Sequence, residues 1–214
     1  MRFAARHGSV GDFDGDRIGD YIITNENWPF VDIYRGNRQQ MLMYDRTIRP
    51  VVVDRGIGVD AFVGFVSDAP DLDGDGRSEF VATCRRCGVS LPSDPEWGRG
   101  YVFVYRLMGS PSSATLPDLV LRGYNDGWDW SGTFGTDVAA GDYNGDGFDD
   151  LVIGDPESHE TRDRPYRGKL HVVFGGGVWG EFRRVVVFGE SITADEGVGG
   201  SLAATVNRSS GMGG

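Results

Sequence analysis

The stretch DYNGDGFDD at residues 142–150 decides the fold, together with two counterparts, DFDGDRIGD at residues 12–20 and DLDGDGRSE at residues 71–79. In each stretch, oxygen-bearing side chains stand at relative positions 1, 3, 5 and 9. Glycine stands at position 4 in all three stretches and at position 6 in two of them, and glycine readily adopts the positive φ angles of tight turns. We therefore describe the stretches as three copies of one acidic loop and number the residues of each copy from 1 to 9.

The spacing of the acids predicts a cation site in each loop. Carboxylates crowded in this way repel one another unless a hard cation neutralises them, and calcium accepts about six to eight oxygen ligands in a flexible geometry. The side chains at positions 1, 3 and 5 can converge on one ion, the backbone carbonyl at position 7 can join them, and the acid at position 9 can complete the shell. The predicted ligands are Asp12, Asp14, Asp16, Ile18 and Asp20; Asp71, Asp73, Asp75, Arg77 and Glu79; and Asp142, Asn144, Asp146, Phe148 and Asp150.

Two other interpretations of the loops were weighed. Solvated acidic turns are one, because Asp and Gly favour turns in any case; three copies with one ligand spacing favour metal sites instead. EF-hand loops are the other, but an EF-hand needs a bidentate Glu at position 12, where this chain has Ile23, Ala82 and Ile153. The short β-rich runs after each loop predict strands, so each loop is predicted to be the turn of a β-hairpin.

The loops also define an internal repeat. They begin at residues 12, 71 and 142, which are 59 and 71 residues apart, and a period of this size with several short strands per unit indicates a propeller blade or a similar array. A fourth unit starts at residues 199–204, and its expected loop at 207–212 has no carboxylate, so no metal is expected there. The predicted strands are 21–23, 30–34 and 51–53 after an abrupt start near residue 3; then 61–66, 80–83, 101–105 and 119–122; then 134–140, 150–153, 169–174 and 184–188.

Composition narrows the classes of function. The chain has 214 residues and a net charge of −11, and the predicted ligand positions alone supply eleven carboxylates. The acidity is therefore concentrated in the loops, and without a basic stripe nucleic acid is not expected as a partner. With 34 glycines and nine prolines, the composition is all-β and rich in turns. No apolar run is long enough to span a membrane, and the N-terminal residues do not form a signal peptide.

Cysteine and histidine give weaker signals. For the pair Cys84 and Cys87, a local disulfide is favoured, while free thiols and a metal or redox role remain alternatives; zinc would need two further ligands. His7, His159 and His171 fit no spacing of nucleophile, base and acid, and no Gly-x-Ser-x-Gly motif is present. No catalytic residues are predicted, and His171, which lies within a predicted strand, is interpreted as structural.

Residues 134–156, FGTDVAAGDYNGDGFDDLVIGDP, resemble an FG-GAP repeat, the blade motif of integrin α-subunit propellers and of many secreted microbial proteins. The second unit departs from this motif, because Val63-Gly64 replaces Phe-Gly and Thr83-Cys84-Arg85 replaces the GAP triplet, and the strand before the first loop matches poorly. The resemblance implies a β-propeller with calcium in the hairpin loops between first and second strands. It also implies that any ligand binds the opposite face.

The expected architecture is a single partial all-β propeller domain of four-stranded antiparallel blades. We assign blades to residues 1–58, 59–131 and 132–196, and the first strand of another to 197–214. Because propellers have about four to eight blades, we expect a fragment, a misassigned start or a chain that associates with itself.

Aromatic loops supply candidate ligand contacts on the face opposite the calcium loops. Trp128 and Trp130, in the segment 123–130, could stack on a sugar or grip a peptide, or could simply pack between blades. Residues 28–30 and Trp97 are placed in similar loops, and the charged segment 157–167 with His159 and Tyr166 is interpreted as a solvated excursion.

Our first functional hypothesis is an extracellular or cell-surface binding or adhesion scaffold with up to three structural calcium ions and a protein or glycan ligand. Such loops suit extracellular calcium levels better than cytosolic ones. The alternative is an accessory or catalytic propeller domain of a secreted polysaccharide-acting or phospholipase-type enzyme. A purely architectural segment without a ligand is a third possibility.

Overall fold

The computed structural model describes residues 7–25, 28–39, 41–50, 65–66, 70–84, 100–107, 114–123, 133–156, 158, 168–176, 179 and 182–188. These residues contain thirteen strands in three sheets and no helix, which confirms the all-β class. The strands are β1 (His7–Gly11), β2 (Asp20–Asn25), β3 (Trp28–Arg35), β4 (Met43–Pro50), β5 (Phe65–Val66), β6 (Phe80–Cys84), β7 (Tyr101–Tyr105), β8 (Ala114–Thr115), β9 (Leu119–Arg122), β10 (Val138–Gly141), β11 (Asp150–Asp155), β12 (Lys169–Phe174) and β13 (Arg183–Phe188).

Each sheet contains a four-stranded antiparallel meander, as expected for blades of a partial propeller. The meanders are β1-β2-β3-β4, β5-β6-β7-β9 and β10-β11-β12-β13. The short strand β8 is an addition that the sequence did not predict: it pairs in parallel with the end of β4, where Arg49 lies opposite Ala114. It therefore occupies part of the outer edge of the first sheet, an edge whose backbone groups would otherwise lack a neighbouring strand.

Two strand predictions were wrong. The first strand of the third unit begins at Val138 and not at Phe134, because Gly135 has a φ of 81° and its N–H donates to Gly154 O at 3.0 Å, which makes a turn. The fourth strand of the first sheet contains Met43–Pro50, which were not predicted to form a strand. The predicted segment 51–53 lies outside the described residues, as does the fourth unit from residue 197 onward. β4 was not predicted because its sequence lacks a regular alternation of apolar and polar residues. A bulge beside Tyr34 interrupts its pairing, and its apolar residues Met43 and Tyr44 are exposed.

The sheets pack face to face, with the second sheet between the other two. All five residues of β6 and of β7 are buried, so both faces of this sheet are covered. One face, with Phe80 and Phe103, belongs to a cluster with Ile22 and Ile33 of the first sheet. The other face belongs to a second cluster, whose members include Val81, Val102, Val104, Leu151 and Ile153. Burial of each large apolar side chain contributes about 1.5–3 kcal/mol, so stacking on both faces is the main source of stability for these short strands.

Cys84, at the end of β6, is 4% exposed and forms a disulfide. This agrees with the interpretation that the sequence favoured over free thiols or a metal or redox role. The other cysteine of the chain lies outside the described residues.

A buried polar cluster anchors the turn before β10. His171 is fully buried, and its Nδ1 accepts a hydrogen bond from Arg184 Nη2 at 2.6 Å. Since arginine can only donate, the imidazole proton lies on Nε2, which faces Asp155 Oδ2 at 3.6 Å. Asp155 Oδ1 accepts from the Thr133 hydroxyl at 2.8 Å, and the Phe134 ring meets His171 edge-on at 4.9 Å between centroids. Burial lowers the pKa of His171, so the ring is held neutral.

Glycines after the third strands allow the acidic loops to approach closely. A Cβ atom on Gly175 would lie 2.2 Å from Asp149 O and 2.8 Å from Leu72 O, and one on Gly36 would lie 2.2 Å from Gly19 O. No side chain fits in such a space, so these positions require glycine for contact rather than for turn geometry.

The packing at Gly175 predicts a position-specific cost. Gly175→Ala should lower the free energy of unfolding by about 1–3 kcal/mol, because the methyl group overlaps two carbonyl oxygens. Gly176→Ala is the matched control, since its Cβ would have nothing within 4 Å. Urea unfolding of the two variants measures the difference, and equal stabilities would contradict the packing argument.

The buried imidazole predicts a pH dependence. In the unfolded chain His171 takes up a proton below its ordinary pKa of about 6.5, whereas in the folded protein its lowered pKa keeps it neutral. Stability should therefore fall as the pH drops below about 6.5, with His171 contributing at most about 1.4 kcal/mol per pH unit. Urea unfolding between pH 5 and 7.5 should show a shallower slope for His171→Gln than for the parent, and identical slopes would refute the assignment.

Candidate metal centres

The three acidic loops share one backbone conformation. Position 4 has a φ of 80°, 71° and 81° at Gly15, Gly74 and Gly145, which is the left-handed region that favours glycine. At position 6, Gly76 and Gly147 have φ angles of 83° and 92°. Arg17 occupies the same position in the first loop with a φ of 67°, so that loop keeps the turn without glycine.

The position 1 aspartate organises each loop through backbone N–H groups. Asp12 Oδ1 accepts from Gly15 at 2.7 Å and Asp16 at 3.0 Å, and Oδ2 accepts from Arg17 at 2.7 Å. Asp142 repeats all three bonds in the third loop. In the second loop Asp71 Oδ2 accepts from Gly76 at 2.9 Å, while Oδ1 is buried and makes no hydrogen bond of good geometry with the described residues.

The position 9 acid is buried in every loop: Asp20, Glu79 and Asp150 are 2%, 1% and 0% exposed. Asp20 accepts the N–H of Phe13, at position 2 of its own loop, and that of Gly36, which follows β3, both at 3.0 Å. Asp150 binds the equivalent groups of the third unit, at Tyr143 and Gly175, both at 2.9 Å. Glu79 accepts the N–H of Leu72 at 2.7 Å. Asp20 and Asp150 therefore tie their loops to the end of the third strand, whereas Glu79 closes its own loop.

Carboxylate oxygens at positions 1, 3 and 9 converge in the first two loops. Within the described residues, Asp12, Asp14 and Asp20 form one group and Asp71, Asp73 and Glu79 another, and the ligand atoms of each group lie within 4.8 Å of one another.

The position 5 acids are not members of these groups. Asp16 Oδ1 and Asp75 Oδ1 accept the N–H of the position 7 residue, each at 2.8 Å. In the third loop Asn144 Nδ2 donates to Asp146 Oδ2 at 2.7 Å. The carbonyl ligands predicted at Ile18, Arg77 and Phe148 remain a prediction.

The converging acids are electrostatically unfavourable as anions. Burial, with a smaller contribution from the nearby charges of Asp73, Asp71 and Asp75, raises the pKa of Glu79 to about 8 against the opposing effect of the hydrogen bond from Leu72. Burial likewise raises the pKa of Asp20 and of Asp71. These are the groups whose ionised form a cation would stabilise most.

The residues present fit a hard divalent cation. Every predicted side-chain ligand supplies oxygen, which suits calcium rather than a thiolate- or imidazole-bound metal. The buried Asp71 Oδ1, which has no hydrogen bond of good geometry among the described residues, is an oxygen that such an ion could satisfy.

Consecutive loops are joined to one another through position 8. The N–H of Ser78 donates to Asp12 O at 2.8 Å, and that of Asp149 donates to Asp71 O at 3.1 Å. The bonds are reciprocal, because Asp12 N–H donates to Ser78 Oγ at 3.1 Å and Asp71 N–H to Asp149 Oδ2 at 2.9 Å. The position 1 aspartate of one loop, which is a predicted ligand, is thus hydrogen-bonded to the next loop.

Position 7 side chains complete this contact. A Cβ on Gly15 would lie 3.0 Å from Arg77 Nε, and one on Gly74 would lie 2.6 Å from Phe148 Cε1, so each long side chain covers the position 4 glycine of the preceding loop. Sequence reasoning assigned position 7 only a carbonyl ligand and missed this packing. The available signal was the large residue at position 7 of loops two and three.

The predicted aromatic ligand surface is largely outside the described part of the chain. Trp97, Trp128, Trp130, His159 and Tyr166 all lie there. Residues 28–30 belong to strand β3 and not to a loop, which corrects their assignment. No helix long and apolar enough to cross a membrane is found in the described residues.

Comparison with known proteins finds one matching repeat and several similar proteins. Residues 134–173 match the FG-GAP repeat. The chain is 32% identical over 115 residues to phosphatidylinositol-glycan-specific phospholipase D of Rattus norvegicus, a match that covers 54% of this chain and 13% of that protein. It is 27% identical over 208 residues to integrin alpha-5 of Xenopus laevis, covering 86% of this chain and 17% of the integrin. Integrin alpha-PS2 of Drosophila melanogaster is 28% identical over 153 residues, covering 69% of this chain and 10% of that protein.

The chain thus spans a small part of each of these relatives. Its match to the FG-GAP repeat, from Phe134 to Val173, covers the third acidic loop with β10, β11 and all but the last residue of β12. The chain therefore carries an FG-GAP repeat and is homologous to integrin alpha subunits and to part of the phosphatidylinositol-glycan-specific phospholipases D.

Proposed function

We propose that this chain is a calcium-binding segment of an FG-GAP β-propeller and acts as a binding or adhesion scaffold outside the cell or at its surface. The observation that carries the proposal is the convergence of position 1, 3 and 9 carboxylates within 4.8 Å in two loops. Crowding of this kind, with the position 9 acid buried, is unfavourable without a cation. The third loop has the same backbone turn and the same position 9 contacts, so we extend the proposal to up to three ions.

The role proposed for calcium is structural. Bound calcium would neutralise the carboxylates and add oxygen coordination to each loop. The chain's own residues transmit that order: Asp20 and Asp150 connect the loop to the residue after the third strand, and Ser78 and Asp149 connect it to the preceding loop. Order at a loop therefore reaches both its own blade and its neighbour.

The scaffold role, its location and its partner come from the relatives. We extend the proposal to a protein or glycan ligand on the face opposite the loops, as the resemblance to integrin alpha subunits implies. An extracellular setting would supply the calcium concentration that such sites need. The first two loops each have a following loop docked on them, whereas Asp142 of the third is exposed. We also propose further blades or a second copy as an additional partner.

A second candidate function rests on the phospholipase matches. Four phosphatidylinositol-glycan-specific phospholipases D, from four mammals, are 31–33% identical to this chain over 113–115 residues. The chain would then be an accessory or catalytic propeller of such an enzyme. Incubation with glycan-anchored protein in vesicles separates the candidates, because release of the protein favours the enzyme, and binding without release favours the scaffold.

Calcium should raise the thermal stability of the protein. A ligand that binds only the folded state at about 100 times its Kd contributes about 2.7 kcal/mol per site, which for a protein of this size is a shift of about 5 °C or more in Tm. Calorimetric melting in EDTA and in millimolar calcium measures the shift, with magnesium at equal ionic strength as the control for screening. A Tm that does not change with calcium would refute the proposal.

Glu79→Gln should separate the structural role of position 9 from its metal role. The amide oxygen can still accept the Leu72 N–H, and with a pKa of about 8 Glu79 is mostly neutral at pH 7 without metal. We therefore expect the Tm in EDTA to change by less than about 2 °C, while calcium affinity at the second site falls at least about tenfold. Calorimetric titration measures the affinity.

Asp137→Asn is the control for Glu79→Gln, because it removes a carboxylate outside the loops while an amide oxygen can still accept from the Val138 N–H. It should leave calcium affinity unchanged. If Glu79→Gln binds calcium as tightly as the parent, position 9 is not a ligand.

A further inference from the structure

An arginine faces the position 3 carboxylate in the first two loops. Arg35 Nη1 lies 2.7 Å from Asp14 Oδ2, and Arg106 Nη1 lies 3.5 Å from Asp73 Oδ2. The two arginines occupy equivalent positions. In each blade the residue after the acidic loop pairs with a tyrosine of the third strand: Tyr21 pairs with Tyr34, and Phe80 pairs with Tyr105. The arginine is the next residue after that tyrosine.

A second acid holds each arginine from the other side. Arg35 Nε lies 3.3 Å from Asp45 Oδ1, and Arg106 Nε lies 3.5 Å from Asp118 Oδ1. Asp118 Oδ2 also accepts the backbone N–H of Arg106 at 2.7 Å. Asp45 lies early in β4 and Asp118 just before β9, so both acids come from the fourth strand of their blade. The same acid–arginine–acid arrangement is thus built twice.

The third unit replaces all three members of this arrangement. Position 3 of its loop is Asn144. Leu151, which follows the loop, pairs with Val173, and the next residue is Phe174 in place of an arginine. Its fourth strand begins with Arg183 and Arg184 instead of an acid, and the Arg183 guanidinium lies over the Phe174 ring at 4.9 Å from the centroid. An arginine therefore accompanies an aspartate at position 3, and where position 3 is a neutral amide the arginine is absent.

Ion pairing at the surface does not explain the repeated arginines, although Arg106 also lies over the Trp179 ring at 4.3 Å from its centroid. The side chains of Arg35 and Arg106 are 44% and 29% exposed, and pairs this open to water contribute little, about 0–1 kcal/mol. The position of the two arginines is more informative than their contribution to stability. The aspartates that they face, Asp14 and Asp73, belong to the converging carboxylate groups of the two loops. A guanidinium bound to a ligand carboxylate competes with a cation for that oxygen and repels the cation.

We propose that Arg35 and Arg106 are internal counter-cations that set the calcium affinity of the first two loops. This inference rests on the proposed calcium sites. Without metal, each arginine neutralises the position 3 aspartate and keeps the loop acids together; with metal, it must give up that oxygen or share it. The two loops therefore hold their shape at low calcium and release calcium more readily than their four carboxylates alone would dictate. The third loop has three carboxylates and no such substitute.

Arg106→Met tests the proposal at the second loop. It is best made in an Asp16→Asn, Asp146→Asn background, which weakens the other two sites while the amide oxygens can still accept the turn hydrogen bonds from Ile18 and Phe148. The Kd for calcium, measured by calorimetric titration, should fall about threefold to tenfold relative to the background. The Tm in EDTA should fall by about 1–3 °C, since the aspartates lose their counter-charge.

Arg122→Met is the matched control, because this arginine lies at the opposite end of the same blade, 5.9 Å from the Tyr101 ring centroid. It should change neither the Kd nor the Tm in EDTA. If Arg106→Met fails to fold, Arg35→Met in an Asp75→Asn, Asp146→Asn background asks the same question of the more exposed arginine, with the same expected directions.

The outcomes separate the two claims. If the background protein binds calcium and the arginine variant binds it equally or more weakly, the counter-cation role is overturned and the calcium scaffold stands. If the parent chain binds no calcium at millimolar concentration, the proposed function fails and this inference fails with it.

Discussion

The buried carboxylate at position 9 is the interaction on which the first and third blades depend. Through two backbone N–H groups, Asp20 and Asp150 each connect the start of their loop to the residue after the third strand. A neutral hydrogen-bonding side chain could make one of these bonds, but a carboxylate accepts both at once. The same burial that makes the acid a good structural tie makes its charge unfavourable. The cation that we propose for these loops would offset this cost at the point where the blade is closed.

Contact between loops extends this constraint along the chain. Position 1 supplies a predicted ligand through its side chain and, through its backbone, both hydrogen bonds to position 8 of the next loop. The position 2 side chains of the two loops that carry this contact, Phe13 and Leu72, are 4% and 1% exposed. An acidic loop, with its predicted ligands, is thus also part of the surface on which the following blade packs.

The sequence predicted what is local and repeated. The loop turns, the hairpins and strands such as β7 and β12 follow from spacing and β-rich composition, and β12 was placed at its observed limits. β4 was missed because its buried residue, Ile48, is surrounded by polar positions and a bulge disrupts its period. The turn at Phe134 was taken for a strand because its apolar and small residues fit either, and the bond from Gly135 to Gly154 that decides between them is not local.

In the candidate site, too, local features could be predicted from the sequence, whereas contacts between strands could not. Ligand spacing is a property of nine consecutive residues, so it could be read directly. Arg35 and Arg106, the residues that we propose adjust the site, lie 21 and 33 residues from the aspartates they face and reach them only through strand pairing. Once the strand register is known, two replacements in the third unit can be recognised as one change: Asn144 replaces the position 3 aspartate, and Phe174 replaces the arginine that would face it. Repeats with the same ligand spacing can therefore differ in electrostatics, because the spacing determines where an ion would bind and the neighbouring strands determine how strongly.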